Sequence, residues 1–265
     1  MTHKNLMIKK IIHFSDLHLK IYKDHELYRL LLNKAFSEWR GHNPDRIVFS
    51  GDLVHSKNQM SPELIDMIAW VLVECSKICK TIIIPGNHDF LEANMGRLDA
   101  ITPVVESLNN KNIVYYKNRG IYEDSNVNWC VYSLMDHNIP PDFVFSDKKN
   151  IGIFHGAVHG LKTDVGHVFT EGYDTNKFSG CDVVLCGDIH KRQVFNIPNN
   201  KKAYMVGSFI QQDYGESVSY HGYGLYDLEI DEYTFFDIKN PRSYLSFKIT
   251  SIDDIINGDE KLINS

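Results

Sequence analysis

Short apolar runs recur along the chain, and polar residues follow each of them directly. Most positions within these runs are aliphatic or β-branched, which is typical of strands that are buried on both faces. The pattern predicts five such strands: Lys9 to Phe14, Asp45 to Ser50, Thr81 to Ile84, Asn150 to Phe154, and Asp182 to Cys186.

Helical patterns lie between the early strands. Apolar residues recur at helical spacing over Asp24 to Trp39, whose first residue is the expected N-cap. Ser61 is the expected cap of a second helix, with Pro62 in its first turn. A third helix is predicted over about Arg97 to Leu108, although Pro103 would strain its interior. The β-α-β-α-β order predicts a parallel sheet with crossover helices, and in such sheets sites form at the carboxyl ends of the strands.

From about Lys202 the pattern changes to successive strands joined by short turns. These predicted strands are Tyr204 to Gly207, Gly222 to Ile230, Tyr233 to Ile238, and Tyr244 to Ile249. They are expected to belong to the second half of a two-sheet sandwich. We expect residues 1–240 to form the main domain, and residues 241–265 to begin a capping element or form a C-terminal tail.

Composition and charge narrow the class of protein. Hydrophobic residues make up 43% of the 265 residues, which allows a sizeable core. No apolar stretch of about 18 residues predicts a membrane span, and Met1 to Lys10 lacks a secretion signal, so we expect a cytoplasmic protein. The five cysteines form no CxxC pair and resemble core residues of a reducing compartment. The net charge of −6 argues against a generic nucleic-acid binder without excluding one, because bound metals neutralise clustered carboxylates.

The polar residues at the strand ends combine carboxylates, imidazoles and one amide. They form the motifs Asp16-x-His18, Gly51-Asp52-x-x-His55, Gly86-Asn87-His88-Asp89, a single His155, and Asp188-x-His190. Oxygen and nitrogen donors without thiolates suit Mn²⁺, Fe²⁺ or Mg²⁺ better than a structural zinc site. Two such ions about 3.5–4 Å apart form a clamp for phosphate esters. Each motif alone is weak, but five of them in this order predict a two-metal phosphoesterase.

The motifs resemble those of the calcineurin-like metallophosphoesterase superfamily over about Ile11 to Gly207. This resemblance implies an α/β fold, a four-layer αββα sandwich of two mixed β-sheets flanked by helices. A narrower resemblance points to SbcD-type DNA-repair nucleases and to recombination-endonuclease subunits of phages and viruses. It rests on these segments: His13 to Leu19, Gly51 to Lys57, Phe154 to Gly156, Gly207 to Gln212, Tyr214 to Glu216, and His221 to Gly224.

The resemblance implies two ligand sets for divalent ions, with Mn²⁺ expected and Mg²⁺ or Fe²⁺ as alternatives. One set comprises Asp16, His18, Asp52 and His190, with Asp52 bridging; the other comprises Asn87, His155 and Asp188. The family usually has histidine where this chain has Asp188. The aspartate either ligates through oxygen, or it is too short and leaves the second site weak.

The resemblance also implies roles for three residues near the ligands. His88 would protonate the leaving oxygen, and His55 would orient His88 or the substrate. Asp89 would position His88 from behind.

Three functions are consistent with the sequence. The first is a metal-dependent DNA exonuclease or endonuclease, the nuclease subunit of a complex with an SbcC-type ABC ATPase in the cytoplasm of the cell or of a viral host. The second is a phosphodiesterase for small nucleotides, which the negative net charge favours slightly. The third is a DNA-binding subunit with an impaired site. DNA, the ATPase and a second copy of the chain are the expected partners, and no membrane is expected.

Other residues have less specific interpretations. His13 is expected in the core or in contact with a ligand residue of the metals. Tyr214 and Phe209 are expected to pack in the core rather than stack on bases. Lys57, Lys191 and Arg192 flank the motifs, where they either hold DNA phosphates or are simply solvated. His159, near His155, is expected to be a solvated loop residue.

Overall fold

The computed structural model describes residues 7–94, 96–136 and 143–245. Most of the predicted strand from Tyr244 to Ile249 and the polar segment 251–265 lie outside these residues, so the proposed boundary at residue 240 stays a prediction. The β-strands are β1 Lys10–Phe14, β2 Arg46–Phe49, β3 Lys80–Ile83, β4 Ile113–Tyr115, β5 Gly120–Asp124, β6 Val127–Tyr132, β7 Lys149–His155, β8 Val183–Gly187, β9 Gln193–Ile197, β10 Lys201–Met205, β11 Gly222–Asp227 and β12 Glu232–Asp237. The α-helices are α1 His25–His42, α2 Pro62–Ile78 and α3 Thr102–Leu108.

The strands form two mixed sheets of six strands each. The first has the order β12-β11-β1-β2-β3-β4, and the second has the order β5-β6-β7-β8-β10-β9. Strands β1 to β4 run parallel to one another, as do β6, β7, β8 and β10, and the remaining pairs are antiparallel. The two-sheet sandwich expected from the sequence is confirmed.

The core explains why the strand sequences are apolar without alternation. In β1, Ile11 packs between the two sheets, whereas Ile12 and Phe14 pack against the helices. In β8, Leu185 faces the first sheet and Val184 faces the outer side. Both faces of each central strand are therefore buried, which favours aliphatic residues at every position.

Helices α1, α2 and α3 cover the outer face of the first sheet. On the outer face of the second sheet, the described residues form loops and the 3-10 helix Thr175–Phe178, whose Phe178 is fully buried. Other 3-10 helices are Glu92–Asn94, Leu134–Asp136 and Pro198–Asn200. In the described part of the chain, no helix has the length and apolar character needed to cross a membrane.

The helix starts differ in how they are capped. Ser61 accepts a hydrogen bond from the Leu64 backbone N–H at 3.2 Å and caps α2, as predicted. Asp24 occupies the N-cap position of α1, but its φ of 63° is left-handed and its side chain makes no capping hydrogen bond. The third helix begins at Thr102 rather than Arg97. Pro103 therefore lies in the first turn, where a missing N–H costs little, and the expected strain does not arise.

The strands near the C-terminus belong to different sheets. Strand β10 completes the second sheet beside β8, but β11 pairs antiparallel with β1 and extends the first sheet together with β12. The expectation that all of them form the second half of the sandwich is therefore wrong for β11 and β12. Their aromatic residues between short turns identify strands without identifying the partner strands, because pairing is set by distant segments.

Candidate metal centre

The predicted motifs meet where the two sheets present the carboxyl ends of their parallel strands. Asp16 and His18 follow β1, Asp52 and His55 follow β2, and the residues from Asn87 to Asp89 follow β3. From the second sheet, His155 ends β7, and Asp188 and His190 follow β8. The first sheet therefore supplies three motifs and the second sheet supplies two.

The loops after β1 and β2 hold each other through backbone hydrogen bonds. The N–H groups of Asp16 and His18 donate to the carbonyls of Gly51 and Asp52 at 3.0 and 3.1 Å. Asp16, His18 and Asp52 have positive φ values between 46° and 58°. This left-handed conformation is uncommon outside glycine and is retained where the surroundings determine it, as at binding sites.

Asp89 stabilises the loop that carries Asp52. Its carboxylate accepts hydrogen bonds from the backbone N–H groups of Asp52, Leu53, Val54 and Gly86 at 2.9–3.0 Å. Asp89 is completely buried. In the described structure, the Asp89 carboxylate therefore binds backbone N–H groups, mainly those of the Asp52 loop. It has no described contact with the His88 ring, which it was expected to position.

Asp16, His18 and His190 form one group of donor atoms. The Nε2 atoms of His18 and His190 lie 2.9 Å apart, and each is 3.8 Å from Oδ1 of Asp16. His18 Nε2 is also 3.5 Å from Oδ2 of Asp52. Lone-pair donors this close repel one another unless a proton or a cation lies between them.

Asn87, His155 and Asp188 form a second group on the other side of Asp52. His155 Nε2 lies 3.2 Å from Oδ1 of Asn87, 3.4 Å from Oδ1 of Asp52 and 3.7 Å from Oδ1 of Asp188. The other ring nitrogen, Nδ1, donates a hydrogen bond to the Ser50 carbonyl at 2.7 Å. The lone pair of the ring is therefore on Nε2, the nitrogen that faces Asn87, Asp52 and Asp188 and can bind a metal ion. The structure thus brings Asp188 together with the other predicted ligands.

The two groups fit divalent cations. Oδ1 of Asp16 and Nδ1 of His18 are buried polar atoms without a hydrogen-bond partner among the described residues. Burial raises the pKa of Asp16 to about 6. Burial opposes ionisation of Asp52 as well, but the adjacent His155 and His18 hold its pKa below the usual range. A buried cluster of carboxylates and imidazoles with an unpaired oxygen is the donor set that Mn²⁺, Mg²⁺ or Fe²⁺ binds.

Comparison with known sequences decides the family. The profile of the calcineurin-like phosphoesterases matches residues 9–192, which is more than half of the chain. The chain belongs to the calcineurin-like phosphoesterase family.

Two similar proteins extend this assignment. The chain is 33% identical over 257 residues to an uncharacterized protein of Acanthamoeba polyphaga mimivirus. That match covers 91% of the chain but 19% of the viral protein, so the chain spans about a fifth of its relative's length. The crystal structure of a dimetal phosphatase from Danio rerio matches with a TM-score of 0.51 and 13% identity, covering 83% of this chain and 93% of that chain. The second likeness shows that the two chains share a fold.

His88 and His55 lie on the open side of this phosphoesterase centre. The His88 ring packs edge-on against His18 at 4.7 Å between ring centroids, and its Nδ1 donates to the backbone carbonyl of residue 55 at 2.7 Å. The orienting contact therefore comes from the main chain of residue 55, and the exposed His55 ring lies 5.9 Å from the His88 ring between centroids. Ring nitrogens of His18, His55 and His88 all lie within 4.8 Å of one another.

Glu216 is a site residue to which the sequence reasoning gave no role. Its Oε1 lies 2.5 Å from Nδ1 of His190, and its Oε2 accepts hydrogen bonds from Ser208 and from the Gln212 backbone N–H. Burial alone would lower the pKa of His190, but Glu216 and Asp16 raise it to about 9. A carboxylate behind a ligating histidine fixes the ring and its tautomer. The Tyr214-Gly215-Glu216 segment was the available signal, since it belongs to the nuclease-like motif.

The basic residues that flank the motifs have partners within the protein. Lys57 donates to the Asn87 carbonyl at 2.8 Å. Lys191 lies 3.5 Å from Asp164, and Arg192 pairs with Asp237 at 2.5 Å. The charges of Lys191 and Arg192 are therefore paired with carboxylates, whereas the Lys57 ammonium contacts a neutral carbonyl oxygen.

Proposed function

We propose that this phosphoesterase is a metal-dependent nuclease that hydrolyses the phosphodiester bonds of DNA, in the manner expected of an SbcD-type subunit. The observation that carries the proposal is the position of Asp52. Its Oδ2 faces His18, and its Oδ1 faces His155. One carboxylate therefore joins two groups of donors, which is the arrangement that two-metal phosphoesterases require.

The ligand roles follow from the two groups. Asp16, His18, Asp52 and His190 would hold one ion, and Asp52, Asn87, His155 and Asp188 would hold the other. Bound divalent ions supply Lewis-acid activation of water and charge compensation at the phosphate. The metal proposed is Mn²⁺, with Mg²⁺ or Fe²⁺ as alternatives, because the donor set contains oxygen and imidazole nitrogen but no thiolate.

His88 is the proposed general acid. Because its Nδ1–H donates to the carbonyl of residue 55, Nε2 is the nitrogen left to face the substrate. The imidazolium form carries a proton on Nε2, which it gives to the leaving oxygen of the phosphodiester. The exposed His55 ring lies beside His88, and its proposed role is a contact with the substrate.

DNA is favoured over a small nucleotide by positive charges that share a cleft and form no salt bridge. Among the residues that the structure describes, Lys20, Lys23 and Arg242 form no salt bridge, and they line one cleft in which Asp24 is the single carboxylate. A mononucleotide diester has no further phosphates for three separated cations to contact. A strand does, and phosphate contacts supply much of the affinity of DNA-binding proteins.

The test is hydrolysis of end-labelled single- and double-stranded DNA with Mn²⁺, Mg²⁺ or EDTA. We expect Mn²⁺-dependent cleavage that is abolished in Asp52→Asn and strongly reduced in His88→Gln. The exposed His167→Gln is the matched control and should cleave like the wild type. Hydrolysis of bis-p-nitrophenyl phosphate with intact DNA would refute the DNA assignment and support a small-nucleotide phosphodiesterase. DNA binding with no hydrolysis of either substrate would support an impaired binding subunit.

Assembly is part of the same proposal. We propose that the chain works with an SbcC-type ABC ATPase, and that a second copy of the chain is a further partner. Stimulation of DNA cleavage by added ATPase and ATP tests the ATPase partner. Light scattering of the purified chain tests whether two copies associate. An ATPase that neither binds the chain nor changes its cleavage of DNA would refute the partner assignment.

A further inference from the structure

A cleft opens directly beside His55, on the side of the centre that the ligands leave free. Its volume is about 190 Å³. It is lined by Leu19, Lys20, Ile21, Tyr22, Lys23, His55, Ser56, Gln59 and Leu64, and we call it the Tyr22 cleft.

The walls of the Tyr22 cleft are fixed to the loops that build the centre. The His55 N–H donates to the Leu19 carbonyl at 2.9 Å, and the Ser61 hydroxyl donates to the Ile21 carbonyl at 2.6 Å. His25 Nε2 donates to the Lys20 carbonyl at 2.6 Å. The cleft therefore keeps a defined position relative to His55 and His88, and an occupant would lie next to a bound phosphate.

Tyr22 is the unusual feature of this cleft. Its side chain is 77% exposed, and it lines the cleft together with the buried Leu19 and Leu64. A large exposed aromatic ring at an apolar cleft offers a face on which a nucleobase can stack. Lys20 and Lys23 line the same cleft, where their charges suit the phosphates on either side of such a base.

A second cleft lies beside Asp188 and His190 of the centre. It is also lined by Asp164, Asp213 and Glu216, and its Lys191 lies 3.5 Å from Asp164. This cleft therefore offers a polyanion no lysine or arginine that lacks a carboxylate partner among the described residues, whereas Lys20 and Lys23 have no such partner. A strand that presents one phosphate to the centre therefore continues along the side of Lys20 and Lys23.

We propose that the Tyr22 cleft is a nucleobase-binding subsite of the DNA strand, in which Tyr22 stacks on the base adjacent to the scissile phosphate and Lys20 and Lys23 contact neighbouring phosphates. The proposal rests on the nuclease function proposed above, and it adds a site and a direction for the strand.

The first test measures binding of a fluorescein-labelled, single-stranded phosphorothioate oligothymidylate by anisotropy, with Mn²⁺ present. Tyr22→Ala should raise Kd by about 5- to 140-fold, the usual effect of removing one stacking ring. Tyr220→Ala is the matched control, because Tyr220 is also 64% exposed but lies outside the cleft, and it should bind like the wild type. The double variant Lys20→Gln/Lys23→Gln should reduce the salt dependence of log K by about 1.4, or about 0.7 for each lost phosphate contact.

A second test uses oligonucleotides with one abasic site at each position in turn. The effect of Tyr22→Ala should disappear when the missing base is the one in the cleft and persist at the other positions. Equal Kd values for Tyr22→Ala and the wild type, or an effect that persists at every abasic position, would overturn the subsite. If the wild type cleaves DNA while either result is found, only the subsite fails; if the wild type does not cleave DNA, the proposed function fails with it.

Discussion

Replacing Glu216 tests whether the centre depends on a residue that does not itself face the cations. Glu216 contacts His190 Nδ1 at 2.5 Å, and its side chain is 9% exposed. Glu216→Ala removes the one carboxylate that fixes the His190 ring, while all proposed ligands stay in place. Loss of such a partner usually weakens metal binding by about 10- to 100-fold, or about 1.4–2.7 kcal/mol.

Calorimetric titration of Mn²⁺ into EDTA-stripped protein measures this effect site by site. The wild type should bind two ions, and Glu216→Ala should weaken the one held by Asp16, His18 and His190. The ion held by His155 and Asn87 should bind as before, because Glu216 has no described contact with either residue. Glu216→Gln keeps an oxygen acceptor without the charge, so its affinity should fall between those of the wild type and the alanine variant.

Two results would refute this reasoning. Wild-type affinity at both sites would mean that the His190 ring is fixed by its other neighbours. Equal weakening at both sites would mean that Glu216 acts through the fold of its loop, not through His190. Glu171→Ala is the control for loss of a carboxylate, because Glu171 is exposed and lies outside the centre.

Three further predictions concern backbone space, sheet packing and pH. Gly86→Ala should abolish high-affinity Mn²⁺ binding in calorimetry, because a Cβ there would lie 2.2 Å from Oδ1 of Asp52. Asp124→Asn should lower the free energy of unfolding in urea by about 2–4 kcal/mol, because Asp124 makes two hydrogen bonds of 2.6 and 2.7 Å to Arg46 across the two sheets. Burial lowers the pKa of His13 to about 3, below its unfolded value, so its neutral ring stabilises the fold fully above pH 6.5 and less as the pH falls. At pH 5 the loss should be about 2 kcal/mol in urea unfolding, and His13→Gln should lack this part of the pH dependence.

Each of these predictions has a control or a contrary outcome. Gly41→Ala should bind Mn²⁺ normally, because no atom lies within 4 Å of its added Cβ. Glu229→Gln should leave unfolding unchanged, because its pair with Lys9 is more than half exposed. Equal destabilisation by Glu229→Gln and Asp124→Asn would contradict the argument from burial. Parallel pH profiles of the wild type and His13→Gln would show that His13 does not contribute.

The strands that carry motifs were predictable because two independent signals coincide there. An apolar run ended by ligand residues marks both a buried strand and its carboxyl end, and all five such strands formed within a few residues of the predicted bounds. Strands β4, β5, β6 and β9 had no such marker and were not predicted. Strand β5, Gly120–Asp124, is partly exposed along its length, so its sequence lacks the apolar signal of a buried strand.

The burial of a side chain was predictable where the size and polarity of the residue determine it. It was not predictable where a contact with a distant part of the chain determines it. His13 and Phe209 are fully buried, as expected. Tyr214 is 66% exposed, so the expectation that it packs in the core was wrong. Its ring packs edge-on against Tyr244, 30 residues further along the chain, at 4.9 Å between centroids, and no local pattern encodes that contact. The pairing of Glu216 with His190 was unpredictable for the same reason, since it joins two loops.

The glycines of the motifs explain why the motifs are diagnostic only together. A Cβ on Gly51 would lie 2.4 Å from Nδ1 of His155, and Gly51 also has a φ of 103°, which side chains disfavour. The glycine of the second motif therefore makes room for the histidine of the fourth, and Gly86 of the third motif makes room for Asp52 of the second. Each motif encodes space for a ligand that another motif supplies. An Asp-x-His sequence that occurs by chance would not be accompanied by glycines in the other motifs that make space for it. Glycines and ligands that occur together therefore indicate that the motifs assemble into one centre.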